Sequence, residues 1–461
     1  MPPSGTSAVH EASLSAIALV ESFRKGSLSP VEVLEQTLER LEGARDLNAV
    51  ALLDAATGRR MAEASAQRWR EGRPIGPLDG VPVAIKDTGH VIGWPTRYGS
   101  ATSSDRPATE DSPGIARLRE AGAVFFCKTT TPEYGWKGIT HGPVSGVTRN
   151  PHDTALTPGG SSGGSAALVA AGVVPIATGG DGGGSIRIPA GFCGVVGLKP
   201  SYGLVPHAPA PLGWLGVFGG MTRDVADTAL LTRLIAAPDA RDSFAAPAPA
   251  VDYLAEAEKG VAGLRIAVSR NLGFRGVVDP AVADAFEAGV QALGRAGAVL
   301  TEVDLDLTPL RGPLDVIWRA AFAATLAPVD GAGLQTIEPE LLELVVSAQE
   351  LTAATLQRAQ DAARAHGQAM QRFHQSHDLL VTPTLPLLPF AAGVNTPDKT
   401  RFPDWYDWTP FTWPFNLSRQ PAISVPCATV GKLPVGLQVV GPMFGEALVL
   451  RAARALEKAK V

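Results

Sequence analysis

A glycine-rich stretch between Thr157 and Pro189 constrains this chain more than any other part of its sequence. It reads TPGGSSGGSAALVAAGVVPIATGGDGGGSIRIP and places two serine-bearing loops, GGSSGG and GGGSIR, on either side of a short apolar run. Glycines allow positive φ angles and close approach, so successive backbone N–H groups can converge on one point. A serine in such a loop can face a substrate while nearby N–H groups bind a developing oxyanion. The stretch is therefore typical of a hydrolase site; flexible linkers are the alternative, but linkers rarely enclose an apolar helix.

Composition excludes several classes of protein. The chain has 461 residues, of which 45% are hydrophobic and 18% charged, as expected for a globular protein with a large core. The net charge of −5, without long runs of like charge, predicts no nucleic-acid surface. The longest apolar run, residues 166–177, is too short to span a bilayer, so no membrane segment is expected. Three scattered cysteines predict neither a disulfide framework nor a zinc site, and with no basic leader they indicate a cytoplasmic protein.

Apolar periodicity predicts alternating helices and strands. Two amphipathic helices are expected within 11–45 and a third over 54–70. Val81, Val83 and Ile85 alternate in a short strand that ends at Lys86. The other predicted helices lie at 112–121, 165–171, 222–235 and 280–296, with long helices within 340–376. The other predicted strands lie at 123–128, 173–177, 195–198, 264–268, 299–303, 378–384, 422–425 and 435–440.

This alternation predicts an α/β fold in a single large domain that covers 1–461. Within it we expect a helical N-terminal segment at 1–70 and a catalytic core at 76–235. A helical excursion is expected at 305–376, and the C-terminal part of the core at 378–461. The Pro/Ala-rich loop at 237–251 is the best candidate for a boundary or a surface crossover.

The glycine-rich loops match two common motifs only in part. Residues 160–164 fit G-x-S-x-G, but the nucleophile elbow of that motif follows a strand, and the preceding RNPHDTALTP reads as a loop. No downstream histidine stands in a recognisable catalytic context. A phosphate-binding loop is not supported, because no Lys-Ser or Lys-Thr pair closes GGSSGG. Metal catalysis is not supported either, because no two histidines stand at i, i+4 and no acidic cluster has ligand spacing.

A serine nucleophile without a histidine can use a neutral lysine as its base. Lys86 is a candidate, because it ends the apolar strand VPVAIK instead of lying on a polar face. Burial there would penalise the charged ammonium and lower its pKa. The alternative is a lysine that extends to the surface and pairs with Asp87.

Several longer motifs indicate a family. They are, in chain order, SLSPVEVLEQTLERLE, GVPVAIKD, TPGGSSGGSAALVAAG, GGDGGGSIRIPAGFCGVVGLKPSYG, and FNLSRQPAISVP followed by LPVGLQVVG. In order and approximate spacing they resemble the amidase signature family, and the resemblance covers about the whole chain. It implies a large α/β domain whose central mixed β-sheet is covered by helices on both faces.

The resemblance also implies a Ser–cis-Ser–Lys triad. Matched residue by residue, Ser185 in GGGSIR would be the nucleophile and Lys86 the base. Ser161, 24 residues before Ser185, would be the bridging serine, joined to Gly160 by a cis peptide bond. The oxyanion hole would be formed by backbone N–H groups of four successive residues: Gly182, Gly183, Gly184 and Ser185.

Other residues are expected to support this site. Ser162, Asp181 and Arg187 would hold the two loops, a structural role more than a chemical one. Trp136 lies in a segment that, by resemblance, borders the substrate. The aromatic run DWYDWTPFTWPF at 404–415 would either form a pocket wall or pack in the core. No metal and no cofactor are implied.

These expectations describe an amidase that cleaves C–N bonds of small, partly apolar amides through an acyl-enzyme. The substrate would be a small-molecule amide or carbamate. Three alternatives stay open: a carbamate, anilide or ester hydrolase with the same triad; the glutaminase component of a tRNA-dependent amidotransferase; and a non-catalytic binding protein on the same scaffold. The sequence does not fix the oligomeric state, and a homo-oligomer is one of the options that stay open.

Overall fold

A mixed β-sheet of 11 strands forms the centre of the computed structural model, which describes residues 15–209 and 212–459. A separate pair of short strands lies outside it. The strands are β1 (Val50–Leu53), β2 (Pro82–Lys86), β3 (Val124–Thr129), β4 (His141–Gly142), β5 (Gly146–Val147), β6 (Ile176–Asp181), β7 (Val196–Lys199), β8 (Val217–Thr222), β9 (Arg265–Val268), β10 (Val299–Glu302), β11 (Leu379–Pro383), β12 (Ala422–Val430) and β13 (Leu433–Val440).

Helices flank this sheet on both faces. They are α1 (Ala16–Lys25), α2 (Pro30–Gly43), α3 (Ala55–Arg70), α4 (Pro113–Glu120), α5 (Gly163–Ala170), α6 (Arg187–Cys193), α7 (Val225–Ile235), α8 (Tyr253–Ala257), α9 (Pro280–Arg295), α10 (Arg311–Leu326), α11 (Gly331–Leu334), α12 (Pro339–Ser347), α13 (Ala353–Phe373), α14 (Pro414–Leu417) and α15 (Glu446–Ala459). The expected single α/β domain with a central mixed sheet is confirmed. None of the helices in the described part of the chain is both long and apolar enough to cross a membrane.

The strand order places two chain segments of the candidate site side by side. The sheet runs β1-β3-β2-β6-β8-β7-β12-β13-β11-β9-β10. Strands β2 and β6 pair in parallel, with Val83 opposite Ile176 and Ala84 opposite Ala177. Because parallel strands end at the same edge of a sheet, Lys86 at the end of β2 lies on the same side as Asp181 at the end of β6. The loop that follows β6 therefore begins beside Lys86.

Local sequence signals explain the helix starts near the N-terminus. Helix α2 begins with a capping box: the Ser29 side chain accepts from the Val31 N–H, and the Glu32 side chain accepts from the Ser29 N–H. Pro30 occupies the first helical position, where its missing N–H costs nothing. Of the two helices predicted within 11–45, the first starts at Ala16, and residues 11–14 lie outside the described part of the chain.

Several predicted boundaries were wrong; the strand expected at 422–425, for example, is β12, which continues to Val430. The strand expected at 173–177 is β6, which begins at Ile176 and continues through Gly179 and Gly180 to Asp181. Glycine and aspartate are poor strand formers, but pairing with β2 and β8 on either side overrides that preference. The helix expected from Thr222 begins at Val225, because Thr222 is the last residue of β8. Strands β1, β4, β5 and β8 and helices α6, α8, α14 and α15 were not predicted.

Candidate active site

Lys86 is buried and contacts a serine of the first glycine-rich loop. It is 3% exposed, and its Nζ donates a hydrogen bond to Ser161 Oγ at 2.7 Å. Burial lowers the pKa of Lys86 to about 7, although the nearby Asp181 carboxylate acts in the opposite direction. A lysine with such a pKa is partly neutral near pH 7, so it can accept a proton from the hydroxyl it contacts. The alternative pairing with Asp87 is not observed, because that carboxylate accepts from Lys128 instead, at 3.1 Å.

Ser161 lies in the loop before α5, and the Gly160–Ser161 peptide bond is cis, as the resemblance implied. On its other side lies Gly135, where a Cβ would stand 3.1 Å from Ser161 Oγ. Gly135 has φ +70°, in the left-handed region that favours glycine. The backbone conformation therefore favours glycine beside this hydroxyl, and a Cβ there would also lie in tight contact with Ser161 Oγ.

Ser185 lies in the loop between β6 and α6 and is 6% exposed. Its carbonyl accepts a hydrogen bond from the Ser162 N–H at 3.1 Å, which joins the two glycine-rich loops. The Ser162 hydroxyl donates to the Gly180 carbonyl at 3.3 Å and so connects the first loop to β6. The structure thus brings Lys86 and Ser161 into contact and places Ser185 in the adjacent loop. Across the described residues, no hydrogen bond joins the hydroxyls of Ser161 and Ser185.

The backbone donors of the second loop divide into two groups. The Gly184 N–H donates to Asp181 Oδ1 at 2.8 Å, so the expectation that it contributes to an oxyanion hole is revised. The N–H groups of Gly182, Gly183 and Ser185 find no acceptor within residues 15–209 and 212–459. The loop is held from outside by Thr412, whose hydroxyl donates to the Gly183 carbonyl at 2.7 Å. Three of these four N–H groups are therefore without a protein acceptor in the described part of the chain.

A buried ion pair shapes this second loop. Arg187 and Asp181 have no exposed side-chain surface, and the guanidinium donates to both carboxylate oxygens, at 2.9 and 3.0 Å. Burial alone would raise the pKa of Asp181, but the Arg187 guanidinium, together with Lys199 and the Asn416 amide, outweighs it and lowers that pKa to about 2. The same carboxylate accepts from the N–H groups of Gly184 and Ile186. The ionised Asp181 therefore holds the backbone on both sides of Ser185.

Two residues missed by the sequence analysis complete this network. Arg187 also donates to Asn416 Oδ1 at 2.6 Å and to Gln438 Oε1 at 2.8 Å. The Asn416 amide in turn donates to the Asp181 backbone carbonyl and carboxylate. Both residues belong to the family-like motifs FNLSRQP and LPVGLQVVG, and Gln438 is a polar residue in an otherwise apolar strand. A polar side chain buried at such a position needs a hydrogen-bond partner, so Gln438 was the sign in the sequence that a buried polar network exists here.

Trp136 is 5% exposed and lies next to Gly135. Its indole N–H donates to Glu338 Oε2 at 2.8 Å, and the same carboxylate pairs with Lys137. The Glu338 N–H donates to Glu133 Oε2 at 2.7 Å, so the residue before α12 is tied to the segment beside Ser161. No sequence pattern connected Glu338 with this segment, 202 residues away from Trp136.

The aromatic run at 404–415 divides between the two expected roles. Trp408 is fully buried and stacks on Phe192, with ring centroids 6.0 Å apart and planes inclined by 6°. Trp405, in contrast, lines a cavity of about 410 Å³ together with Trp136. In the described part of the chain, no three histidine, cysteine, aspartate or glutamate side chains are grouped as ligands for a metal ion.

Comparison with known proteins agrees with this geometry. The family model described as Amidase matches residues 32–450. An acylamidase of Rhodococcus erythropolis is 36% identical over 96% of this chain and 95% of its own length. The amidotransferase component of Chloroflexus aggregans that acts on glutamyl-tRNA(Gln) is 35% identical over 96% of each chain. Among solved structures, a bacterial aryl acylamidase of the amidase signature family superposes with a TM-score of 0.91 at 28% identity, over 98% of this chain and 97% of that one.

The resemblance in the motifs, the 11-stranded mixed sheet and the family match over nearly the whole chain lead to one assignment. This chain belongs to the amidase signature family of hydrolases, which cleave carbon–nitrogen bonds in amides.

Proposed function

We propose that this protein hydrolyses small, partly apolar acyl amides through an acyl-enzyme on Ser185, with Ser161 as the proton relay and Lys86 as the base. The observation that carries the proposal is the 2.7 Å hydrogen bond between Lys86 Nζ and Ser161 Oγ at a buried position. Because its pKa is lowered to about 7, Lys86 is partly neutral near pH 7 and can act as a base toward the hydroxyl that it contacts, which lies in the loop beside Ser185. The names of an acylamidase and an aryl acylamidase among its relatives support the same reaction.

The first half of the reaction forms the acyl-enzyme. Ser185 Oγ attacks the amide carbonyl carbon; its proton passes to Ser161 Oγ while the Ser161 proton passes to neutral Lys86. The tetrahedral oxygen accepts hydrogen bonds from the free N–H groups of Gly182, Gly183 and Ser185. Each such donor contributes about 3 kcal/mol to barrier lowering in comparable sites. The relay then returns the proton to the leaving nitrogen as the C–N bond breaks, because an unprotonated amide anion is a very poor leaving group.

The second half releases the acid. A water molecule attacks the acyl ester on Ser185 and gives up its proton through the same relay. The ester bond then breaks, and Ser185 Oγ recovers a proton. The relay requires the Ser185 hydroxyl to reach Ser161, and the hydrogen bond between the Ser162 N–H and the Ser185 carbonyl holds the two loops adjacent for that purpose. Hydrogen bonds of this kind are often long before substrate binds.

A second candidate is the glutaminase component of a tRNA-dependent amidotransferase, favoured by the amidotransferase relative at 35% identity. It shares the acyl-enzyme chemistry but would release ammonia to partner proteins. Carbamates, anilides and esters are further substrates for the same site, since all pass through a tetrahedral intermediate. We also propose a cytoplasmic location, supported by three cysteines that are all buried and unpaired.

A substrate panel tests the proposal on the purified protein alone. We expect measurable kcat/KM for an anilide and an aliphatic acyl amide, and glutamine turnover at least about tenfold lower, because an acylamidase and an aryl acylamidase are among the relatives. Carbamate and ester analogues with the same acyl group show how strictly the site prefers a nitrogen leaving group. Glutamine turnover that requires added partner proteins would favour the amidotransferase. No turnover of any of these compounds would favour the non-catalytic binding protein.

A further inference from the structure

A tight turn at 133–137 lies against the proposed relay serine and has an unusual backbone. Tyr134 and Gly135 are successive residues with φ of +51° and +70°, in the left-handed region. A residue with a Cβ is disfavoured in that region, so the conformation of Tyr134 persists only where its surroundings hold it. A Cβ built at Gly135 would stand 3.1 Å from Ser161 Oγ. The position of this turn therefore sets the space that is available to the Ser161 hydroxyl.

One side of the turn is held by the loop that follows β2. The Tyr134 N–H donates to the Tyr98 carbonyl at 2.7 Å. The Ser100 hydroxyl donates to Glu133 Oε1 at 2.6 Å. Tyr98 is itself tied to the end of β2, because its N–H donates to the Asp87 carbonyl at 3.1 Å. This side therefore connects the turn with the strand end that carries the proposed base.

The other side is held by a residue of the helical excursion, Glu338, which precedes α12. Its backbone N–H donates to Glu133 Oε2 at 2.7 Å. Its carboxylate accepts from the Trp136 indole at 2.8 Å and pairs with the Lys137 ammonium. Glu338 thus contacts the turn on both sides of Gly135.

The helices of the excursion anchor this contact. Ile337 and Leu341, on either side of Glu338 in the chain, are buried in the same apolar cluster as Trp136. From α10, the Trp318 indole N–H donates to the Trp136 carbonyl at 3.1 Å. A movement of the excursion would therefore be transmitted to the turn.

Charge makes the pairing between Lys137 and Glu338 specific. The Lys137 side chain has no exposed surface, and that of Glu338 is 10% exposed. The ammonium also contacts Asn395 Oδ1 at 2.9 Å and His141 Nε2 at 3.1 Å. Burial lowers the pKa of His141 to about 4, so this ring is neutral at pH 7. A buried ion pair often stabilises a fold no better than apolar side chains of similar size, so the orientation that this pair gives the turn explains it better.

We propose that Glu338 is a positioning residue for Ser161. It holds the turn at 133–137, and the turn holds Ser161 Oγ where it can accept the proton of Ser185 and pass its own proton to Lys86. Glu338 touches no reacting atom and acts through Gly135. The inference rests on the proposed function. It makes the helical excursion, in which none of the family-like motifs lies, a part of the chain that catalysis requires.

The test compares Glu338→Gln with the same change at a glutamate of α12. Glutamine keeps the length of the side chain and one acceptor oxygen but removes the negative charge beside Lys137. We expect kcat for 4-nitroacetanilide to fall by about 10- to 30-fold with KM changed by less than about threefold, because a small displacement of a catalytic group can cost up to about 100-fold in rate. Glu343→Gln is the matched control, because Glu343 is exposed and forms no hydrogen bond or ion pair within residues 15–209 and 212–459. Its kcat and KM are expected to equal those of the wild type.

A double variant keeps the proposal testable if Glu338→Gln does not fold. Lys137→Met with Glu338→Leu replaces the buried pair with apolar side chains of similar size, which proteins commonly tolerate without loss of stability. The Trp136 indole loses its acceptor, so we expect the same fall in kcat without a lower urea midpoint. The rate at which a fluorophosphonate labels Ser185 is expected to fall by a similar factor, because that reaction uses the relay but not the binding of an amide.

The outcomes separate this proposal from the proposed function. A fall in kcat and in labelling in the Glu338 variants, with KM and Glu343→Gln near wild type, supports the positioning role. Wild-type kcat in the Glu338 variants, a change confined to KM, or an equal fall in Glu343→Gln overturns it and leaves the proposed amidase intact. A fall in kcat that is matched by a lower urea midpoint in both variants also overturns it, since loss of folded protein would explain the rate. A wild type that neither hydrolyses the anilide nor reacts with the fluorophosphonate removes the proposed function itself.

Discussion

Replacing Ser185 with alanine is expected to lower kcat/KM for an acyl amide by roughly 10⁴- to 10⁶-fold, to the rate that binding and oxyanion donors alone provide. The variant lacks the oxygen that forms the acyl-enzyme, and neither neighbouring serine can replace it. Ser161 is held by Lys86 at 2.7 Å, and the Ser162 hydroxyl donates to a backbone carbonyl. Initial rates on an anilide, followed by release of the coloured amine, measure the effect.

Ser162→Ala is the control for this experiment. It removes a buried hydroxyl from the adjacent loop but no atom of the proposed relay, so its kcat/KM is expected to fall by about tenfold or less, as for the loss of one ordinary hydrogen bond. Wild-type rates in Ser185→Ala would show that the nucleophile has been assigned to the wrong residue. Equal losses in both variants would show that loop packing, and not the Ser185 oxygen, limits the rate.

Replacing Lys86 with methionine is expected to lower kcat by roughly 10³-fold or more, because both the attack and the protonation of the leaving nitrogen depend on the base. The loss should not come from unfolding. In the wild type, the folded-state pKa of Lys86 is about 7 against an ordinary value of 10.5. Between those pH values the unfolded chain binds a proton that the folded chain does not, so stability falls as pH drops from about 10.5 to about 7. Methionine removes that penalty and should not lower the urea midpoint.

The same pKa sets the pH dependence of the wild type. Only the neutral amine accepts a proton, so kcat/KM is expected to rise with pH, with a midpoint near 7, and then to level off. Lys199 provides a stringent control, because burial lowers its pKa to about 7 as well, but its Nζ donates to the Pro200 carbonyl and not to a catalytic serine. Lys199→Met is therefore expected to keep the acidic limb. Loss of that limb in Lys199→Met, or a flat wild-type profile, would contradict the assignment of Lys86.

The parts of the site that could be predicted were those encoded in short, continuous motifs. Lys86 was recognisable because it ends an apolar strand inside the family-like motif GVPVAIKD, and the two glycine-rich loops stood out because they bracket an apolar helix. The contact between Lys86 and Ser161 could not follow from periodicity, because it depends on β2 and β6 being parallel neighbours in the sheet. The family resemblance implied that Lys86 and Ser161 act together, and in the structure Lys86 Nζ lies 2.7 Å from Ser161 Oγ.

The parts that were missed depend on long-range packing. Strand β8 reads VFGGMT, and its two glycines lower the strand propensity of the segment. Pairing with β6 and β7 nevertheless makes it a central strand of the sheet. The Gly184 N–H was expected to face the substrate, but the Asp181 side chain three residues earlier accepts it. Glu338, before α12, accepts from the Trp136 indole, and Trp318 of α10 donates to the Trp136 carbonyl, although the sequence shows only ordinary amphipathic helices there. Such contacts exist only once the chain has folded.

The central claim is that Ser185 forms a covalent bond with the acyl group, and labelling with a fluorophosphonate tests it most directly. Such reagents react with an activated serine oxygen and leave a stable adduct. We expect one adduct per chain, located by peptide mass spectrometry on Ser185, with labelling abolished in Ser185→Ala and strongly slowed in Lys86→Met. An adduct on Ser161 or Ser162, or undiminished labelling of Ser185→Ala, would contradict the account.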